Sequence, residues 1–191
     1  MDDRTDEEII SFVLKGHVAE YRHIAERHQH MAYRTAFSVT RNHEAAQEVV
    51  QDAFMKVFSS LGSFQGRSRF STWLFRIVYH KALNYLEASG SYKKHIVMDE
   101  AVNTDNYVAE DSTRSLFGND QVKYIQQALD LLSAEDRIAL SLYYLEERPQ
   151  PEISEITGWS LASTKQRIHR ARARLDQALN KILNNEKKDL L

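Results

Sequence analysis

The chain has no cysteine among its 191 residues. That excludes disulfides and thiolate zinc sites, and it fits a reducing setting, so a cytoplasmic protein is expected. Only 6 Gly and 2 Pro occur, so chain breakers are scarce and helix-spaced apolar patterns run on between them. That combination predicts an all-α chain. No apolar run reaches the length a membrane span requires. The opening, MDDRTDEEII, is acidic and lacks the basic-then-apolar order of a signal peptide. There is no strong net charge either. The formal value is -2, and the overall balance does not suggest an anionic partner, although binding depends on where charges sit. No nucleophile–base pairing or phosphate-cradling Gly loop is present, so neither an enzyme, nor a cofactor, nor a small-molecule substrate is expected.

Helical segments follow one another along the chain. Thr5 and Glu8 form a capping-box pattern that starts a first helix ending near Gly16. The second is expected from about Val18 to Val39, with Val18, Tyr21, Ile24, Ala25, Met31, Ala32 and Phe37 on one stripe. Asn42 is the expected N-cap of a third helix through Leu61, with Val49, Val50, Ala53, Phe54, Val57, Phe58 and Leu61 on one face. GSFQGRS, residues 62–68, reads as a loop, and a fourth helix covers about Ser71 to Ala88. Residues 96–120 lose the helical period and hold Asp99, Glu100, Asp105, Glu110, Asp111 and Asp120 against a single Arg114, which reads as a flexible acidic linker. Periodicity returns at Val122, Ile125, Leu129 and Leu132, and Ser133 with Asp136 opens a helix to about Leu145. Two small helical domains joined by a linker are therefore expected, at 1–95 and 121–191.

The C-terminal stretch PEISEITGWSLASTKQRIHRARARL is the most specific. Ile153 and Ile156 give a short helix an apolar face, and Gly158 suits a left-handed turn after it. Leu161 and Ile168 are expected to seat a second helix against the first, giving a helix-turn-helix. That second helix carries Lys165, Arg167, Arg170, Arg172 and Arg174 with no acid among them. Like charges at spacings of three and four repel, and an anionic partner such as DNA phosphate relieves the repulsion. Ser163, Lys165, Gln166, His169 and Arg170 are placed to meet a duplex, with Ser163, Gln166, His169 and Arg170 in reach of base edges. A solvated basic helix is the plain alternative.

The fourth helix mixes aromatics with cations in RFSTWLFRIVYHKALNYL. Leu74, Ile77, Val78, Tyr85 and Leu86 can face a core, which leaves Trp73, Arg76, His80 and Asn84 along another side. An aromatic, a cation, an imidazole and an amide in one row suit stacking a base, holding phosphate and bonding a base edge. The preceding loop adds Phe64, Arg67, Arg69 and Phe70. The ordinary alternative is that Trp73 and Phe75 fill a small core. On the third helix Glu44, Glu48 and Asp52 stack at spacings of four beside Gln47, Gln51 and Met55. Such a stack suits a basic partner surface, unless it is a solvated face with Asp52 paired to Lys56.

At these residues the chain resembles a known family, the bacterial RNA polymerase sigma factors of the sigma-70 type, in their compact extracytoplasmic-function (ECF) group. AAQEVVQDAFMKVFSSLGSFQGRSRFSTWLFRIVYHKALNYL is similar to the family's core-binding, melting and -10 recognition segments. ALDLLSAEDRIALSLYYLEERPQPEISEITGWSLASTKQRIHRARARL is similar to its -35 binding domain. The resemblance implies roles. Glu44, Glu48, Gln51, Asp52 and Met55 would dock on the coiled coil of the polymerase β′ subunit, with the β subunit also contacted. Phe64, Arg67, Phe70, Trp73, Arg76, His80 and Asn84 would capture -10 bases. Ser163, Lys165, Gln166, His169 and Arg170 would enter the -35 major groove. It also implies core polymerase, promoter DNA and a dedicated anti-sigma factor as partners. The linker would thread a channel of the polymerase. The chain departs from the family pattern at His80, Pro149, Ser154, Ala162, Ser163 and Thr164.

Two other functions compete. A regulator binding duplex DNA alone would use the helix-turn-helix but leave the acid stack and the Trp73 row without a role. A metal protein would draw on His17, His23, His28 and His30 with Glu20 and Glu26, of which Glu26 and His30 are four apart. These histidines scatter around the helix and no third ligand converges, so no metal is expected.

Overall fold

The structure is a computed structural model describing residues 4–90 and 119–189, the side chains of 119–122 and 185–189 excepted. Among the described residues every regular element is helical. The N-terminal half holds α1 (Asp6–Leu14), α2 (Tyr21–Thr40), α3 (His43–Ser60) and α4 (Phe70–Ala88). The C-terminal half holds α5 (Asn119–Asp130), α6 (Ala134–Leu140), α7 (Gln150–Thr157) and α8 (Leu161–Asp189). The linker expected over 96–120 lies outside the described residues except for 119 and 120, which open α5.

Local chemistry sets the helix starts. The Thr5 hydroxyl accepts from the Glu8 N–H at 3.2 Å, and the Glu8 carboxylate accepts from the Thr5 N–H at 2.7 Å, closing the capping box. The Asn42 side chain accepts from the Ala45 N–H at 2.9 Å and starts α3. Ser133 accepts from the Asp136 N–H at 3.2 Å and starts α6. Two boundaries differ from the sequence reading. Residues Val18–Glu20 form a short 3-10 turn before α2, so Val18 leaves the apolar stripe and is 53% exposed. The helix expected to run to Leu145 widens into a π turn over Ser141–Leu145, where the Glu146 N–H reaches back to the Ser141 carbonyl at 3.0 Å.

A three-helix bundle of α2, α3 and α4 forms the N-terminal core. Its contact faces mix Ala with branched residues: Ala32, Ala36 and Val39, then Val49, Ala53 and Val57, then Leu74, Val78 and Ala82, all buried. Small residues let the backbones approach, and the branched ones fill what remains. Helix α1 lies across this bundle through Ile9, Ile10 and Val13. Asp6 anchors it, accepting from Arg27 Nη1 at 2.7 Å and bonding His28 Nε2 at 2.8 Å. Burial alone raises the Asp6 carboxyl, but His28 and then Arg27 outweigh it and hold it below the usual range.

The two halves pack against each other, α7 on α4 and α6 on α2. Arg137 of α6 is 2% exposed and lies at the C-terminal end of α2. Its Nε donates to the Ser38 carbonyl at 2.8 Å and its Nη2 to the Val39 carbonyl at 2.7 Å. Those carbonyls lie in the last turn of α2, whose dipole is negative there. Burial pushes the Arg137 guanidinium down to about 10, which still leaves it protonated at neutral pH.

Candidate nucleic-acid interface

Helix α4 divides its residues as the period requires. Leu74, Phe75, Val78, Tyr79, Ala82 and Leu86 are buried, while Arg76, His80 and Asn84 are exposed along one line. Trp73 is partly buried at the head of that line. Its ring lies 5.4 Å from Phe64 and 5.8 Å from Phe70, centroid to centroid, and Phe64 meets Phe70 edge-on at 5.5 Å. These spacings are those of attractive aromatic pairs. Phe70 itself is 1% exposed and packs on His28, so it forms the floor under the other two rings. Arg67 and Arg69 stand exposed in the loop before α4. The result is an aromatic platform at one end of a polar row, flanked by cations. Burial, and then the Arg76 charge, lower the His80 imidazole from its ordinary value, so it is neutral at physiological pH.

Helix α3 presents Glu44, Glu48, Gln51 and Met55 to solvent, with Met55 63% exposed. Asp52 is half-buried and bonds Lys81 of α4 at 3.0 Å. Lys56 was the sequence-based alternative; the actual partner lies one helix away. Glu48, Asp52, Lys81 and Asn84 line one small cleft, so the acidic face of α3 and the polar row of α4 adjoin.

The helix-turn-helix is formed by α7, Gly158 and α8. Gly158 has φ +78 and closes α7 by donating to the Ser154 carbonyl at 2.9 Å, a left-handed cap that a side chain would strain. The Ser160 hydroxyl accepts from the Ser163 N–H at 3.1 Å and so caps α8. Ile153 and Ile156 of α7 are fully buried as expected. The inward positions of α8 are Thr164, Ile168, Ala171 and Ala173; Leu161, expected among them, is 43% exposed. Thr164 takes that place because its hydroxyl, at 0% exposure, donates to the Ser160 carbonyl at 3.0 Å. Ser163, Lys165, Gln166 and His169 are all exposed on the outer face. Arg170 is half-buried, and its Nε is buried without a hydrogen-bond partner. It lines a small cavity with Arg167, Arg174 and Asp136, where Arg174 donates to Asp136 at 2.6 Å.

Sequence reasoning missed the residues that join the halves: Thr72, Arg137, Arg148, Glu152 and Trp159. A Trp directly after the turn glycine was the one available signal. Among the described residues no three His, Asp or Glu side chains converge on a metal-sized site, and no helix is long and apolar enough to cross a membrane.

Comparison with known proteins places the chain in a family. Residues 24–91 match the family model described as Sigma-70 region 2, and residues 123–175 match Sigma-70, region 4. The chain is 30% identical over 152 residues to RNA polymerase sigma factor YlaC of Bacillus subtilis, covering 79% of this chain and 87% of that one. It is 27% identical over 188 residues to the ECF RNA polymerase sigma-E factor of Escherichia coli K12, covering 94% and 96%. In fold it is similar to the sigma factor RpoE of Bartonella quintana, solved in complex with the anti-sigma factor NepR. That superposition has a TM-score of 0.62 at 24% identity and covers 84% of this chain and 97% of that one. With both regions matched in order over an all-helical fold, the chain belongs to the sigma-70 family of RNA polymerase sigma factors, in the ECF group that directs promoter-dependent transcription initiation.

Proposed function

We propose that this sigma factor divides promoter recognition between its two halves, 1–95 and 121–191, with 96–120 as the connection. Glu44, Glu48, Gln51, Asp52 and Met55 on α3 dock on the β′ coiled coil of core polymerase, the β subunit supplying further contacts. Arg76 neutralises phosphate of an unpaired -10 strand and His80 and Asn84 hydrogen-bond its base edges, while Trp73 and Phe64, held on Phe70, offer rings for a flipped base. Arg67 adds phosphate attraction. Ser163, Lys165, Gln166 and His169 enter the -35 major groove, and Arg170 supports that face from beneath. The chain contributes binding and orientation, and polymerase carries out the chemistry. Control by an anti-sigma factor, as in the NepR complex of the Bartonella protein, is part of this reading.

The observation that carries the reading is the exposed Arg76–His80–Asn84 row next to the Trp73 platform. Exposed polar residues are ordinary on a surface helix; what gives this row its meaning is the ring cluster of Trp73 with Phe64 at its head, a stacking surface set beside groups that bond phosphate and base edges. Selection from a promoter library randomised at both elements tests it. Changing Gln166 should relax preference at -35 and leave -10 unchanged, and changing His80 should do the converse, since distant sites add with little coupling. A lost bidentate base contact costs about 1–3 kcal/mol, or roughly 5- to 150-fold in selection. Equal reshuffling of both elements by Gln166→Ala rules the division out.

A further inference from the structure

One cavity belongs neither to the docking face of α3 nor to the rows assigned to promoter DNA. It lies beside α2 and has a volume of about 560 Å³, within the range of small-molecule sites. Phe37 of α2, Ile125 and Leu129 of α5, Leu140 of α6 and Leu175 of α8 line it. The π turn over Ser141–Leu145 adds Ser141, Tyr144 and Leu145 to the wall. Leu145 is 67% exposed, a large apolar side chain that lines the cavity instead of entering the core. The backbone at this wall is unusual twice over. A π turn is rare and is found often at functional sites. Two residues beyond it, Glu147 takes φ +50, a left-handed conformation that a residue with a Cβ adopts only at a cost. Both features fall on the segment that sets Tyr144 and Leu145 at the cavity.

The charges around the cavity have one sign. Arg34, Arg41, Arg137 and Arg172 line it, and among the described residues no carboxylate does. Three of these cations are engaged. Arg34 holds Glu146 at 2.7 Å, Arg41 holds Asp130 at 2.6 Å, and Arg137 donates to the Ser38 and Val39 carbonyls. Arg172 is exposed and, among the described residues, forms no ion pair or hydrogen bond. Apolar walls with one uncommitted guanidinium suit a molecule with an aliphatic body and an anionic head.

We propose that this cavity binds a single-chain amphipathic carboxylate of the fatty-acid type, and that its occupancy weakens binding of the -35 duplex. The aliphatic chain lies against Phe37, Leu129 and Leu145, and the head group sits on Arg172. The link to the duplex rests on the -35 reading above. Arg172 follows Lys165 by seven residues and His169 by three, so the three share one side of α8. A carboxylate on Arg172 cancels one cation of that side, and the duplex loses the matching phosphate attraction. Linkage makes the effect mutual, so the duplex weakens the amphiphile by the same factor.

Dodecanoate, kept below its micelle concentration, is the probe. Calorimetric titration of the whole chain should show one saturable site, and melting should move to higher temperature. Butyrate carries the head without the chain, and dodecyltrimethylammonium carries the chain with the opposite charge. Each should bind at least about tenfold more weakly than dodecanoate. Arg172→Gln should weaken dodecanoate by at least about tenfold without lowering the melting temperature of the free protein, and Arg172→Lys should recover part of the loss. Leu145→Glu, at an exposed position, should weaken it as much. A short duplex selected by the chain should bind about fivefold or more weakly at saturating dodecanoate, and unchanged with butyrate at the same concentration. Many weak sites with a falling melting temperature overturn the site, as does binding that neither Arg172→Gln nor Leu145→Glu reduces. Equal duplex affinity with and without dodecanoate overturns the link to promoter reading. A chain that binds no selected duplex even without dodecanoate overturns the -35 reading, while the calorimetric arm still decides the site.

Discussion

Charge reversal on α3 separates docking from folding. Consider Glu48→Lys with Asp52→Lys. Glu48 is exposed, so its own stability term is close to zero. Asp52 pairs with Lys81 at 3.0 Å, with side-chain exposures of 49% and 36%. A surface pair of that kind contributes about 0.2–1 kcal/mol, and setting a new lysine against Lys81 adds a repulsion of similar size. The total is about 1 kcal/mol, and for a chain of this size that lowers Tm by roughly 2–4 °C. Docking should suffer far more. Losing one partner of a desolvated charge pair costs about 2–5 kcal/mol, so even one such contact weakens core binding by about thirtyfold or more. The assay is competition against labelled wild-type protein for core polymerase, with thermal melting run in parallel. A variant that melts within a few degrees of wild type and still competes equally refutes the docking assignment. One that unfolds refutes the surface reading of α3.

Other outcomes follow from the same structure. Trp73→Ala should impair open-complex formation more than closed-complex binding; since the ring rests on Phe64 and Phe70, it should also cost up to about 3 kcal/mol of stability. Permanganate probing at low temperature separates the effects, and normal melting there would leave Trp73 as packing alone. Lys165→Ala should weaken -35 duplex binding uniformly across sequences and reduce the slope of log affinity against log salt by about one; an unchanged slope places Lys165 off the phosphates. Asp6 is depressed in the folded state, so its contribution should be complete above the unfolded carboxyl value of about 3.9 and be lost as pH falls through the lower folded value. Asp6→Asn should therefore flatten the acid limb of the stability curve, and an identical limb would contradict the Asp6–His28–Arg27 anchor.

Much of α3 and α4 could be read in the sequence because each helix meets its core on one stripe, and a 3.6-residue period reports that directly. The exposed Arg76, His80 and Asn84 row is what remained once Leu74, Val78 and Leu86 were turned inward. The helix-turn-helix was equally legible, since Gly158 must take a left-handed conformation and Ile153 and Ile156 need a partner. Arg137 was not legible. Its partners, the carbonyls of Ser38 and Val39, lie about a hundred residues away, and an Arg directly after Glu135 and Asp136 gives no local sign of capping another helix. Asp52 carried a similar ambiguity: Lys56 was near in sequence, but Lys81 is near in space. Thr164 took the inward place expected of Leu161 because a threonine that bonds its own helix backbone can be buried at little cost. Phe70 belonged to the right cluster, but its depth depended on α2, through His28.

Whether this chain gives core polymerase promoter specificity is read in reconstituted transcription. Purified core, a template carrying a promoter selected by the chain and a matched template with scrambled elements would be assayed with and without the protein. A discrete transcript is expected only with the protein, only from the intact promoter, and is lost with Glu48→Lys/Asp52→Lys. A protein that binds the -35 duplex alone but leaves the transcript pattern of core unchanged would contradict it.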